Sequence, residues 1–431
     1  MSGALFVRSL VCAWVVAGCG FPRPPPLVVD DGGVDGPVDA VPVDAVPLDS
    51  TATDASPSCT PNQVRCDGND LRRCNAEGTA EATTTCALGC NVAEPRCVDV
   101  NPSNGLAALL DMTASEPDLD LGESATIDTN SGTVMVDGSS VVVKSTTIVQ
   151  TSAPPLRVFI VRSVTAADVK ITGSNAFALV SNGDVHVGAV FAASAVGFAA
   201  GPGGFNSGAC RGGDQVVIAR GLSGAGGGGF GLSGGKGGTA VNGNGTAPGG
   251  AAGSATGNAT LVPLRGGCDG GKVGGTFAGG GGAIQLVSRT AIVVSGVVAA
   301  NGSGITGGGS GGGILLEAPR IDVSGGVVAN GGGGAGGCIG PLAGESGRLD
   351  AMPASAGVGC SASGGVDGGS GGAGNTGATN GVSISMPGDS NAYAGFGGGG
   401  VGRIRVNTAP GGLHTTGLFS PNPSTGALAT R

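Results

Sequence analysis

From about residue 105 to the end, valine, isoleucine and leucine recur in short bursts separated by glycine, and helical periodicity is absent. FALVSNGDVHVGAV (177–190) aligns without gaps on IQLVSRTAIVVSGV (284–297). AIVVSGVVAANG (291–302) aligns in the same way on RIDVSGGVVANG (320–331), with eight of twelve positions identical. VKITGSN (169–175) and GGVGRIRVNT (399–408) echo the pattern. Each unit reads as an alternating strand, a glycine corner and a second alternating strand. Alternation places every second side chain on one face, and Ile292, Val294 and Val298 match Ile321, Val323 and Val327, so the same face is apolar in both units. One such unit cannot bury that face alone, whereas stacked copies can. The pattern predicts an all-β domain over 105–431 in which a 29-residue repeat makes one turn of a solenoid.

These repeats resemble the right-handed parallel β-helix of the pectin-lyase-like superfamily. The resemblance covers most of 119–408 and is carried by pattern, not by a signature motif. DLDLGESATIDTNSGTVMVDG (118–138) looks like the opening turns and cap. A β-sandwich, or a few strands with glycine arms that do not fold, are the alternatives. Residues 201–282 and 331–400 hold most of the 92 glycines. Ordinary connections have a median length of about 4–6 residues, so these stretches read as long glycine-rich loops or irregular turns. A disulfide limits the large unfolded entropy of such a segment. The expected pairs are Cys210–Cys268 in the first stretch and Cys338–Cys360 in the second.

Upstream the pattern changes three times. Residues 1–18 carry a single charge, Arg8, and a short apolar run, too short to span a bilayer and typical of a signal peptide. The run ends in Val16-Ala17-Gly18-Cys19, which resembles the lipobox of bacterial lipoproteins. The resemblance implies lipidation of Cys19 and a membrane partner. Gly20, where an aspartate would retain a lipoprotein at the inner membrane, implies the outer membrane or cell surface. Residues 19–58 form a Pro/Asp-rich linker. Within 22–58 lie eight prolines, seven aspartates and one arginine, with Pro37, Pro42 and Pro47 in phase. Proline excludes helix and sheet, and an extended polyproline II spacer is expected. The linker holds most of the net charge of −9. The acidity therefore belongs to the stalk, and no basic patch suggests nucleic acid as a partner.

Cys59, Cys66, Cys74, Cys86, Cys90 and Cys97 then fall in a module over 59–98. An even set in an exported chain reads as a disulfide framework, with 15 possible pairings. The segment lacks histidine and C-x-x-C, so it does not read as a zinc site. QVRCDGNDLRRC predicts a hairpin turning at Asp67–Asp70. Similar small cysteine-rich modules occur in surface lipoproteins of Gram-negative bacteria.

Candidate chemistry is sparse, and neither a cofactor nor a metal is expected. His186 and His414 are far apart in sequence, and His186 reads as a packed or outward strand residue. GGCDGGKV (266–273) has Lys272 in the lysine place of a phosphate loop but Val273 where Ser or Thr is needed. Ser233 in GLSGG lacks the strand-to-helix context of a nucleophile elbow. Asp214, Asp269, Asp367 and Asp389 are expected to be solvated loop residues. Polygalacturonases of the resembled fold carry N-T-D, D-D, G-H-G and R-I-K. Here only Arg403-Ile404-Arg405 echoes the last, and the sole D-D pair, Asp30-Asp31, is in the linker.

Two readings follow. One is a non-catalytic, lipid-anchored envelope protein serving adhesion, glycan contact or envelope structure. The other is a polysaccharide lyase or hydrolase. It requires that two of Asp168, Asp184, Asp214, Asp269, Glu317 and Asp322 converge on one groove. With Trp14 in the leader, Tyr393 and the phenylalanines are the only rings available for sugar stacking.

Overall fold

The computed structural model describes residues 58–205 and 208–431, so the leader, Cys19 and the linker up to Pro57 lie outside the described residues. The described chain is nearly all β-structure; one α-helical turn, Ala107–Leu110, precedes the main sheets.

In the cysteine-rich module, Val64–Asp67 and Asp70–Cys74 form the expected hairpin, closed at Gly68 and Asn69, with Glu81–Thr85 as a third strand. Gly68 sits at φ +61°, a value that side chains resist and glycine accepts. Disulfides join Cys59 to Cys74, Cys66 to Cys90 and Cys86 to Cys97. Leu71, Cys74 and Cys86 are the module's buried apolar residues, too few to hold it without cross-links.

Three long sheets follow. Five passes of the chain, 156–172, 176–192, 283–299, 313–328 and 403–420, each give one strand to each sheet in the same order. Strands of successive passes pair in parallel. The registers Phe177↔Ile284, Val185↔Ile292 and Ala291↔Arg320 are those of the gapless sequence alignments. Antiparallel strands Lys144–Ile148 and Val134–Val136 with Ser139–Val141 close the leading edges of the first and third sheets.

Alternation sends one face of all three sheets into a shared core that includes Phe177, Ile284, Ile314, Ile404, Ile292, Ile321, Val298 and Val327. The Phe159, Phe177 and Phe191 rings meet at centroid distances of 5.4 and 5.6 Å. The opposite face of the first sheet is covered as well. Leu106 and Leu110, from the segment after the cysteine-rich module, pack there with Val180, Val287 and Leu315.

The glycine stretches correct the expectation of loops. Residues 193–282, 300–312 and 329–402 all leave after a strand of the third sheet and return before a strand of the first, so they share one corner. There they form a bundle of extended rods, buried at its centre and exposed at its outer members. In 223–231, the N–H groups of Ser223, Gly226 and Gly229 donate to the carbonyls of Val216, Gly213 and Cys210. Those of Gly224, Gly227 and Phe230 donate to Gly238, Gly235 and Leu232, and those of Gly228 and Gly231 to Gly308 and Val401. The direction of donation repeats every third residue, the period of a polyproline II-type helix, which rises about 3.1 Å per residue and bonds nothing internally. Residues 331–337 behave alike: Gly331, Gly334 and Gly337 donate to Gly372, Gly369 and Val366, and Gly333 and Gly336 to Glu345 and Leu342.

Each rod thus satisfies its backbone through its neighbours, which a buried segment must do. Close approach requires the missing side chain: a Cβ on Gly224 would lie 1.8 Å from the Gly395 carbonyl oxygen, and one on Gly270 1.7 Å from that of Gly307. The disulfides Cys210–Cys268 and Cys338–Cys360, the pairs expected from the sequence, cross-link the bundle.

Candidate functional site

The second sheet turns one row of side chains outward. Register sets Thr165, His186, Val293, Asp322 and His414 side by side on successive strands. Both histidines are exposed, and Asp322 is ion-paired to Arg320 at 2.8 Å. The two histidines, distant in sequence, therefore share a face, and Asp322 is the direct strand neighbour of His414.

Each of the six carboxylates considered for a catalytic groove is tied to a partner, and Asp214 and Asp269 share Arg211. Asp168 accepts from the Val190 N–H at 3.0 Å, Asp184 from the Thr290 hydroxyl at 2.5 Å, and Asp214 from the Lys272 N–H at 2.8 Å and from Arg211. Glu317 lies on the covered face of the first sheet and is 1% exposed. It accepts from the Ser103 hydroxyl at 2.8 Å, the Ser103 N–H at 3.1 Å, Gln285 Nε2 at 2.7 Å and Asn407 Nδ2 at 3.0 Å. These bonds seat the segment after the cysteine-rich module on the sheet.

Asp269 corrects a second expectation. It is 2% exposed inside the glycine bundle, not solvated, because the rods pack around it. Burial pushes its carboxyl up to about 6, against the Gly280 N–H, which donates at 2.8 Å, and the charge of Arg211. Asp367 is exposed and accepts from the Gly359 N–H at 2.7 Å, and Asp389 is exposed. Lys272 and Ser233 are exposed on the bundle with no helix following either, so neither has the surroundings of a phosphate loop or a nucleophile elbow. Tyr393 is buried and unavailable for stacking on sugars; Phe198 is the exposed ring among the described residues.

A charged knot joins the module's exit to the end of the chain. Arg289 forks onto Asp99 at 2.9 and 2.8 Å and reaches Asp111 at 2.8 Å. Arg431 bonds Asp99 at 2.9 Å and both oxygens of Asp111, while the backbones of Asp99 and Arg431 exchange two hydrogen bonds. Burial alone would raise the Asp99 carboxyl; the hydrogen bonds and charge of Arg289, with Arg431, outweigh it and hold it below the usual range. At the opening of the sheets, the hydrogen bonds of Arg162 and Ser163 hold Asp118 far below that range.

The outermost rods present a feature that the sequence pattern does not announce. Pro248, Ala251 and Ser254 are exposed along one rod, and Met352, Ser355 and Val358 along another, each row recurring every third residue. Such rows space side chains about 9 Å apart along a rod.

A scan of protein-family models, a search of curated proteins and a search of solved structures each returned no match to this chain.

Proposed function

We propose that the chain is a lipid-anchored protein of the outer membrane or cell surface. Its 105–431 part would be a non-catalytic right-handed parallel β-helix that contacts an extracellular or envelope polymer. The observation that carries this reading is the glycine bundle. Its backbone hydrogen bonds and two disulfides hold a rigid body, and its outer rods offer regular rows of side chains. The carboxylates that would support bond cleavage are tied to backbone groups and neighbouring side chains. The V-A-G-C sequence at 16–19 and the proline-rich spacer supply the tether.

Protease shaving of intact producing cells, followed by mass spectrometry, tests the placement. Release of peptides from 105–431 supports surface display; their release only after the outer membrane is opened rejects it. An unmodified Cys19 in the mature protein would remove the anchor. The enzymatic alternative keeps one observation in its favour, the adjacency of Asp322 and His414. Polysaccharide cleavage by the purified protein, abolished by His414→Ala, would install it instead.

A further inference from the structure

A cavity of about 330 Å³ lies where the glycine bundle meets the last pass of the three sheets, between Leu232, Asn375, Arg403, Pro421, Asn422 and Ser424. Arg403 begins the last long strand of the first sheet. Ile404 and Val406 enter the core, which places Arg403 and Arg405 on the other face. The two arginines differ in what they hold. Arg405 Nε donates to Asn407 Oδ1 at 2.7 Å and its Nη1 to the Thr425 carbonyl at 2.8 Å. The Nε of Arg403 is buried without a hydrogen-bond partner, and among the described residues no carboxylate pairs with its guanidinium. None lines the cavity either. The Asn375 and Asn422 amides, also at the wall, make no hydrogen bond within the described chain. Ser424 is already engaged, donating to the carbonyls of Ala259 and Ile404.

The Nη1 and Nη2 of Arg403, unlike the occluded Nε, are not buried and also make no hydrogen bond within the described chain, and that planar pair matches a carboxylate with two parallel hydrogen bonds. A single cation suits a monoanion better than a phosphate dianion. The two carboxamides each offer a donor and an acceptor, the complement of hydroxyl groups. The volume falls at the lower end of small-molecule sites.

We propose that Arg403, Asn375 and Asn422 form a binding site for a small hydroxy-carboxylate monoanion. Arg403 takes the carboxylate and the two asparagines take hydroxyl groups. The site is independent of where the protein resides and of the polymer-contact reading.

Isothermal titration of the full chain with gluconate, with sorbitol as the uncharged match and inorganic sulfate as the bare anion, tests it. Gluconate is expected to bind saturably, and sorbitol and sulfate at least tenfold more weakly. Arg403→Gln should weaken gluconate at least tenfold with an unchanged circular dichroism spectrum. Asn422→Ala, at an exposed position, should weaken it severalfold and decides the matter if Arg403→Gln does not fold. No saturable binding of gluconate, equal binding of sorbitol or sulfate, or an affinity indifferent to the variants overturns the proposal.

Discussion

The Asn330 N–H donates to Asn301 Oδ1 at 2.7 Å, linking two passes of the chain at the same corner. The contact is part of a short ladder. Asn301 N–H donates to Ser194 Oγ at 3.0 Å, and Ser420 Oγ to Asn330 Oδ1 at 2.6 Å. Each asparagine also spends its amide on the neighbouring loop: Asn301 donates to the Gly347 and Arg348 carbonyls, Asn330 to those of Arg348 and Asp350. Asn330→Ala takes the donor from the Asp350 carbonyl and the acceptor from the Ser420 hydroxyl, while the Arg348 carbonyl keeps Asn301 and Ser420 Oγ still accepts from the Gly374 N–H. It should cost about 1–3 kcal/mol, read as a lower urea midpoint with an unchanged slope.

The rods give a sharper contrast between two glycines. Gly224→Ala forces a methyl group onto the Gly395 carbonyl oxygen, a backbone atom that cannot swing aside. A loss of about 3 kcal/mol or more is expected, the upper end of overpacking. At Gly377 nothing lies within 4 Å of a new Cβ. Gly377→Ala should stay within about 0.5 kcal/mol of the parent. Equal melting temperatures for the two variants would contradict the tight packing of the bundle.

Asp269 should make stability fall as pH rises. Its folded-state carboxyl is raised to about 6 from an ordinary 3.8, chiefly by burial. The folded protein therefore holds the proton more tightly, and this favourable contribution is complete below about pH 4. It is lost as pH climbs through about 6. The gap corresponds to about 3 kcal/mol. Asp269→Asn keeps an oxygen for the Gly280 N–H and removes the charge, so it should stabilise the protein at pH 7.5 and do little at pH 4. Denaturant midpoints of parent and variant at the two pH values test this, and a parallel pair of curves would refute it.

Glu317 offers a test by an isosteric change. Every group that faces its carboxylate is a donor, from Ser103, Gln285 or Asn407. Glu317→Gln places an amide N–H₂ among donors. A loss of about 2–4 kcal/mol is expected from the charge-assisted bonds given up and the polar atoms left unmatched. Faster amide exchange at Ser103 would accompany it if the segment after the cysteine-rich module loosens.

The strand registers were legible because stacked strands repeat side-chain size at fixed places: Ile292 over Ile321 and Val298 over Val327 are neighbours in the sheets and equivalent positions of the sequence repeat. The hairpin at Gly68-Asn69 and the pairs Cys210–Cys268 and Cys338–Cys360 were legible for local reasons of turn chemistry and loop grouping. The nature of the glycine stretches was not. A rod such as 331–337 has no apolar face and no internal hydrogen bond, so its order comes from neighbours like 366–372 that are distant in sequence. The burial of Asp269 was hidden for the same reason. His414 was not legible as the neighbour of Asp322 because the sequence echo near Arg403 stops before the strand that carries it.

Since all three glycine insertions depart from and return to one corner, the bundle and the sheets are free to vary in different units. A sheet pass changes by a whole repeat, whereas a rod keeps its facing residues only if its length changes by multiples of three. Additions of three residues to both the outgoing and the returning leg at facing rod tips, such as those near Gly243 and Gly388, would extend the molecule by about 9 Å a step. The protein thus contains a ruler whose graduations are triplets, separate from the frame on which it is mounted.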